Sequence, residues 1–107
     1  MSAGASAGAS AGREDVEVRL PGPLSDDAGG LRLVRVPAGG PTTLADVLDL
    51  LARDHPALVR RLRDETGNLR RHVNVFVGED DVRWSGGVEA AVRPGDVVLV
   101  LPSVAGG

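Results

Sequence analysis

The chain lacks cysteine and tyrosine altogether, and its aromatic residues are Phe76 and Trp84 alone. Without cysteine it can form no disulfide, no thiolate metal site and no catalytic thiol, and it cannot carry sulfur as a cysteine persulfide. Because aromatic residues are so few, the core must consist mainly of valine, leucine and alanine.

Lysine is also missing, since all 12 basic residues are arginine. An activated carboxyl group on this chain would therefore find no lysine amine on another copy of the chain to acylate. The formal net charge is -3, which disfavours nucleic acid and anionic membrane surfaces as partners.

Long apolar runs are absent as well. No run approaches the roughly 20 residues of a transmembrane helix, and the N-terminal sequence lacks the basic and apolar regions of a secretory signal. We therefore expect a cytoplasmic protein with no membrane contact.

The sequence contains no group of residues typical of a catalytic site. His55 and His72 have no metal-ligand spacing and are expected at the surface, while Ser103 has no histidine positioned by a motif to activate it. The acidic residues 79–81 lack a calcium-loop pattern. We predict that the chain is not an enzyme and holds no metal or permanent cofactor. A set of basic residues is interpreted as a solvated surface: Arg60, Arg61, Arg63, Arg70 and Arg71.

Composition divides the chain into three segments. Residues 1–13 are rich in serine, alanine and glycine and are predicted to be disordered. Residues 14–102 are predicted to form one small domain. Residues 103–107 are predicted to form a flexible tail that ends in Gly-Gly.

The first half of the domain begins with two predicted strands. Residues 16–20 alternate between apolar and polar side chains, as a half-buried strand does. Residues 31–36 predict a second strand, with Leu31, Leu33 and one valine facing inward and its arginines outward. The Pro- and Gly-rich residues 21–30 predict a turn that makes the two strands an antiparallel hairpin.

A helix is predicted after this hairpin. Thr43 with Asp46 resembles a capping box, and Pro56 is expected to end the helix near His55 and to open a second, short helix. One face of the first helix is apolar: Leu44, Val47, Leu48 and Leu51.

Three further strands are predicted at residues 73–77, 82–84 and 97–101. Residues 93–96 read Arg-Pro-Gly-Asp, which fits a type II turn before the last strand. Because that strand is almost continuously apolar, we place it centrally in the sheet. The order of elements predicts the α+β class, with a mixed sheet of about four to five strands packed on one main helix.

The C-terminal glycines suggest a chemical role for the tail. Glycine has no Cβ, so Gly106 and Gly107 could thread a narrow channel in a partner, and Pro102 ends the strand register before them. The alternative is that the Gly-Gly ending is incidental.

Five segments of the chain carry a family resemblance: Val73-Asn74-Val75-Phe76-Val77, Asp80-Asp81-Val82-Arg83, Gly86-Gly87, Pro94-Gly95-Asp96-Val97 and Leu101-Pro102-Ser103-Val104-Ala105-Gly106-Gly107. Together they resemble the MoaD/ThiS sulfur-carrier family, and residues 71–87 are most similar to its actinobacterial CysO-type branch, which serves cysteine biosynthesis. The resemblance covers everything except the N-terminal tail.

The resemblance implies a monomeric, ubiquitin-like β-grasp protein and a reaction at Gly107. A MoeB/ThiF-type adenylyltransferase, related to ubiquitin-activating enzymes, would use ATP to adenylate the Gly107 carboxylate. Sulfur would then replace AMP and give a thiocarboxylate, with Gly106 providing access. The sulfur would pass to an acceptor enzyme, either a cysteine synthase or a molybdopterin synthase large subunit, and a deubiquitinase-like metalloprotease could follow. Thiamine or secondary-metabolite pathways remain open.

The resemblance also implies a docking face on the outward side of the last strand. Leu99 and Leu101 are expected to face outward there, unless both faces of the strand are buried, and Phe76 is expected to join them. The partner-binding set is completed by residues at or in the tail: Pro102, Val104 and Ala105. Two other functions fit the sequence, a ubiquitin-like modifier conjugated through Gly107 and a β-grasp binding module that transfers nothing.

Overall fold

The computed structural model describes residues 15–102 of the chain. The predicted disordered segment 1–13 and the tail 103–107 lie outside the described residues, and so do Val104, Ala105, Gly106 and Gly107.

The described chain contains seven strands and three α-helices. The strands are β1 (Asp15–Arg19), β2 (Leu33–Pro37), β3 (Thr42–Thr43), β4 (Val73–Val77), β5 (Asp80–Asp81), β6 (Ala91–Val92) and β7 (Val97–Pro102). The helices are α1 (Gly22–Ser25), α2 (Leu44–Asp54) and α3 (Pro56–Leu62), and 3-10 turns occupy Asp26–Ala28, Val82–Trp84 and Gly87–Glu89.

A mixed five-stranded sheet in the order β2-β1-β7-β4-β5 organises the fold. β1 and β2 form the predicted antiparallel hairpin, while β7 is parallel to β1 and antiparallel to β4. The last strand therefore has a hydrogen-bonded neighbour on each side, which confirms its predicted central position. The α+β class is confirmed as well.

Helix α2 begins where the sequence predicts. The backbone N–H of Asp46 donates to Oγ1 of Thr43 at 3.2 Å, so Thr43 caps the first turn. The predicted apolar face is buried and joins the inward side chains of the sheet in one core: Leu44, Val47, Leu48 and Leu51. The helix ends at Asp54, and Pro56 opens α3 as expected.

Helix α3 packs on the core through Val59 and Leu62, which are buried. The prediction that Arg63 lies in water beside Arg60 and Arg61 is wrong in part. The Arg63 side chain is only 17% exposed, and its Nη2 lies 2.7 Å from Oδ1 of Asp49. The arginine therefore joins the end of α3 to the outer side of α2.

The segment from 21 to 30 contains helical structure, where the sequence predicts only a turn. Proline at its first positions is compatible with a helix start, and the N–H groups of Leu24 and Ser25 both donate to the carbonyl of Pro21. This places Leu24 and Ala28 in the core. A short helix and a 3-10 turn thus form the connection between β1 and β2.

In the second strand, the predicted inward valine and outward Arg35 are confirmed, but the predicted inward orientation of Leu31 and Leu33 is wrong. Its described range begins at Leu33, and Val34 and Val36 lie opposite Val18 and Val16 on the core side. Because alternate residues face opposite sides of a sheet, Leu33 faces outward and is 38% exposed, while Leu31 precedes the strand and is 49% exposed.

The predicted strand at 82–84 is also wrong, since a 3-10 turn occupies these residues. Oδ1 of Asp81 accepts the N–H of Arg83 at 2.9 Å, and this side-chain bond closes the turn. Val82 is buried but Trp84 is 84% exposed. The fourth strand of the main sheet is instead the two-residue β5, which pairs with the end of β4.

The predicted type II turn before β7 is present. Gly95 has φ 92°, and the N–H of Asp96 donates to the carbonyl of Arg93 at 3.0 Å.

Within the described part of the chain, no helix combines the length and apolarity needed to cross a bilayer.

Candidate functional site

Strand β7 presents two different faces. Val98 and Val100 are fully buried on the helix side, whereas Leu99 is half-buried and Leu101 is 37% exposed on the opposite side. The predicted alternation is therefore present, and the alternative of a strand buried on both faces is wrong. We call this side, which carries Leu99 and Leu101, the outer face.

Phe76 joins the outer face through the pairing of β4 with β7. It lies directly opposite Leu99, and Asn74 lies opposite Leu101. Phe76 is half-buried. Aromatic and aliphatic side chains in such directly opposed positions pack against each other, so Leu99 and Phe76 form the apolar centre of this face.

The outer face continues onto β1 and β2. Arg19 lies opposite Leu99 on one side and Leu33 on the other, and its Nε contacts Oε2 of Glu17 at 2.6 Å. The face is thus an apolar patch with an exposed ion pair beside it. The sequence pattern does not indicate Leu33 as part of this face, because the pairing register of β2 is needed to place its side chain.

The tail leaves the sheet at one identifiable point. The backbone of Pro102 is the last described position of β7 and is paired with Val73 of β4. The predicted tail contacts Val104 and Ala105, and the predicted reactive residues Gly106 and Gly107, lie beyond this point and outside the described residues. The strand that leads to them is paired with β1 from Val97 to Leu99 and with β4 from Val98 to Pro102.

A second surface lies next to this point. A cavity of about 360 Å³ has an apolar floor and arginines at its rim, and we call it the arginine pocket. The floor is formed by Leu69, Val73, Val75 and Val82. The rim is formed by Arg70, Arg71 and Arg83. The sequence predicts a solvated surface for Arg70 and Arg71 and gives no sign that the fold brings them to Arg83.

One edge of the arginine pocket carries an ion pair. Nη2 of Arg83 lies 3.0 Å from Oδ2 of Asp81, and the hydrogen bonds from Arg83 hold the pKa of the Asp81 carboxyl below its usual value. The same contact raises the pKa of Arg83. The contact therefore favours the charged form of both groups.

A second carboxylate organises the loop after α3. Oδ1 of Asp64 accepts the Thr66 hydroxyl at 2.6 Å and the N–H of Asn68 at 3.2 Å. The hydroxyl bond is the largest influence that lowers the pKa of Asp64, and nearby Arg70 contributes. This loop connects α3 to Leu69 and Arg70, which line the arginine pocket.

Among residues 15–102, no group of three or more histidine or carboxylate side chains is placed so that it could hold a metal ion. His72 is exposed as expected, whereas His55 is half-buried at the junction of α2 and α3. Ser103 lies outside the described residues.

Comparison with known proteins covers both the folded domain and the residues that follow β7. Residues 18–107 match the ThiS family. The sulfur carrier protein CysO of Mycobacterium tuberculosis (strain H37Rv) is 41% identical over 95 residues, which cover 87% of this chain and 99% of CysO. Small archaeal modifier protein 1 of Haloferax volcanii is 35% identical over 81 residues, covering 76% of this chain and 88% of the modifier.

The fold has close counterparts among solved structures. A chain in the crystal structure of the Amycolatopsis orientalis BexX/CysO complex matches with a TM-score of 0.76 and 38% identity, covering 86% of this chain and 99% of its own length. The expected β-grasp, ubiquitin-like fold is thereby confirmed. Because the family match runs from β1 through the final glycine, the chain belongs to the ThiS family.

Proposed function

We propose that the protein is a sulfur carrier whose cargo is held at the C-terminal carboxyl group of Gly107. The observation that carries this proposal is the position of β7. The strand that leads to the Gly-Gly ending is the central strand of the sheet, hydrogen-bonded to β1 and β4. A tail that must reach into another protein benefits from such a fixed base, because less freedom is lost on binding.

The proposed chemistry has two steps, and both take place in partner enzymes. A carboxylate oxygen of Gly107 attacks the α-phosphorus of ATP, pyrophosphate leaves, and an acyl-adenylate forms. A hydrosulfide sulfur then attacks the acyl carbon, AMP leaves with the oxygen that bridged it, and a thiocarboxylate remains after loss of a proton. The chain has no cysteine, so the terminal carbonyl is the position left for the sulfur.

The outer face is the proposed docking surface for these enzymes. Its centre, Leu99 opposite Phe76, is apolar, and Leu101 extends it toward the tail. Apolar side chains that remain exposed next to a functional segment are typical of interaction sites. We assign Pro102, Val104 and Ala105 to the same contact, as the residues that enter the partner first.

The proposed partners follow from the family. They are an adenylyltransferase of the MoeB/ThiF type and a sulfur-accepting enzyme, for which the CysO-like sequence favours a cysteine synthase over a molybdopterin synthase large subunit. A deubiquitinase-like metalloprotease is the proposed enzyme that releases a product from the carrier. Because activation consumes ATP, the proposal places the protein in the cytoplasm.

Intact-mass spectrometry tests the proposal. The carrier is incubated with its cognate adenylyltransferase, ATP and sulfide, and the expected result is the mass increase for exchange of one oxygen by one sulfur. Reactions without ATP or without sulfide are the controls and should show no increase. An unchanged mass in the complete reaction, with an enzyme shown to be active on ATP, would contradict the proposal.

A modifier role is the second candidate, and the similarity to small archaeal modifier protein 1 favours it. In this role, Gly107 would be joined to lysine amines of other proteins. Chains of this protein linked through lysine are excluded, since it contains none. Proteomic detection of the C-terminal remnant on cellular lysines would support the role, and its absence under sulfur starvation and oxidant stress would oppose it.

A further inference from the structure

We propose that the arginine pocket is a second docking site, which binds an acidic side chain of the activating enzyme together with a neighbouring apolar one. This inference rests on the proposed carrier function. It concerns a surface separate from the outer face, lined by β4, by the segment that precedes β4 and by the turn that follows β5.

The position of the pocket relative to the tail is the first argument. Val73 forms part of the pocket floor and is also the residue paired with Pro102. The five residues after Pro102 can span at most about 18 Å when fully extended. An enzyme that holds Gly107 in its active site must therefore come within this distance of Pro102, and its surface around the entrance then faces Val73 and its surroundings.

The chemistry of the pocket is the second argument. Its floor is apolar, while Arg71 at the rim is exposed and forms no ion pair within residues 15–102. Nε of Arg70 donates to the carbonyl oxygen of Arg60 at 2.9 Å, which leaves its terminal nitrogens to other acceptors. A guanidinium group binds a carboxylate through two parallel hydrogen bonds. In a chain of net charge -3, this local positive surface fits an acidic partner group.

The backbone around the pocket is held in place, which is the third argument. The N–H of Arg70 donates to the carbonyl of Leu62 at 2.9 Å, and the N–H of Val73 donates to the carbonyl of Arg70 at 3.1 Å. On the opposite rim, Asp81 fixes the turn that carries Arg83. A binding site built in this way loses little freedom when a partner arrives.

An exposed aromatic residue, Trp84, is the chain neighbour of Arg83 at the rim, although it does not itself line the pocket. It follows Arg83 on the same turn and is 84% exposed. Tryptophan and arginine are the residues most enriched among those that dominate binding energy at protein interfaces. An exposed tryptophan beside an arginine rim therefore fits a protein surface better than it fits a small anion.

We assign the activating enzyme as the partner that binds the arginine pocket, because it is the first enzyme to act on the carrier. It must recognise the carrier before any sulfur is attached, so recognition depends entirely on the carrier's own surface. The sulfur-accepting enzyme, by contrast, can also recognise the carrier by binding its thiocarboxylate.

The test is the kinetics of adenylation, followed by pyrophosphate release, with the carrier as the varied substrate. For Arg71→Glu we expect KM for the carrier to rise about tenfold or more with kcat unchanged. Arg53→Glu, at an exposed position of α2 that does not line the pocket, is the matched control and should stay within about twofold. Thermal melts of both variants check folding, and Arg71→Gln, which only removes the charge, should give an intermediate KM.

Salt provides a second readout. The KM of the unaltered carrier should increase with ionic strength, and that of Arg71→Glu should increase less, because salt screens an attraction in the first and a repulsion in the second. An unchanged KM for Arg71→Glu, or a loss seen only at transfer to the acceptor enzyme, would overturn the assignment. Failure of the unaltered carrier to be adenylated would instead overturn the proposed function, so the two failures are distinguishable.

Discussion

Leu99 of β7 and Phe76 of β4 lie directly opposite each other on the outer face. The neighbouring residues of β7, Val98 and Val100, are fully buried on the other side. The inward side chains of β7 therefore belong to the core, while its outward side chains form an apolar patch next to the start of the tail.

Leu101 should matter for partner binding rather than for folding. We expect Leu101→Thr to raise KM for the carrier in adenylation about tenfold and to change the free energy of unfolding by less than about 1 kcal/mol, since threonine suits a strand. Leu31→Thr, at an exposed leucine outside the sheet, is the control and should leave KM unchanged. Equal effects of the two substitutions would mean that the outer face has no special role.

The Thr43 cap of α2 should contribute to the stability of the fold and not to partner binding. Thr43→Ala removes the acceptor for the N–H of Asp46 and is expected to lower the free energy of unfolding by about 1 kcal/mol, as measured by urea denaturation. Thr43→Ser retains the hydroxyl acceptor and should lose much less. A loss of the same size in both variants would show that the methyl group, and not the cap, is what matters.

The Asp81–Arg83 pair should make stability depend on pH in the acidic range. The folded protein lowers the pKa of Asp81 from its usual value of 3.8, so the ionised carboxylate stabilises the fold above that pH, and this contribution is lost as pH falls through the lowered folded-state pKa. We expect Asp81→Asn to be less stable than the unaltered protein at neutral pH, with the difference shrinking in acid. Asp80→Asn, at the exposed neighbour, is the control. A difference that does not vary with pH would contradict the ion-pair account.

Trp84 offers a direct optical check of the turn at 82–84. As the single tryptophan of the chain, and 84% exposed, it should fluoresce like an indole in water and be quenched readily by acrylamide. Unfolding in guanidinium should therefore shift its emission very little. A blue-shifted emission that moves to longer wavelength on unfolding would show that Trp84 is buried.

Elements with local signals were predictable from the sequence. Thr43 and Pro56 mark where α2 and α3 begin because capping and proline geometry act within a few residues. The turn at 93–96 and the alternation of β7 were predictable for the same reason.

Features that depend on distant pairing were not predictable. The two-residue strands β3 and β6 exist because Thr42 lies opposite Val92, a contact that neither segment indicates alone. Val82 and Trp84 have strand-like spacing, but a hydrogen bond to Asp81 forms a 3-10 turn instead. The arginine pocket brings Arg70 and Arg71, which precede β4, together with Arg83, which follows β5, so only the folded chain could reveal it.

The most direct test of the central claim, that the working group is the carboxyl of Gly107, is intact mass after reaction with the activating enzyme, ATP and sulfide. The unaltered protein and a variant lacking Gly107 are compared in parallel, after thermal melts establish that both are folded. We expect the oxygen-to-sulfur mass increase in the unaltered protein and none in the deletion. The same increase in both proteins, or in neither, would contradict the account.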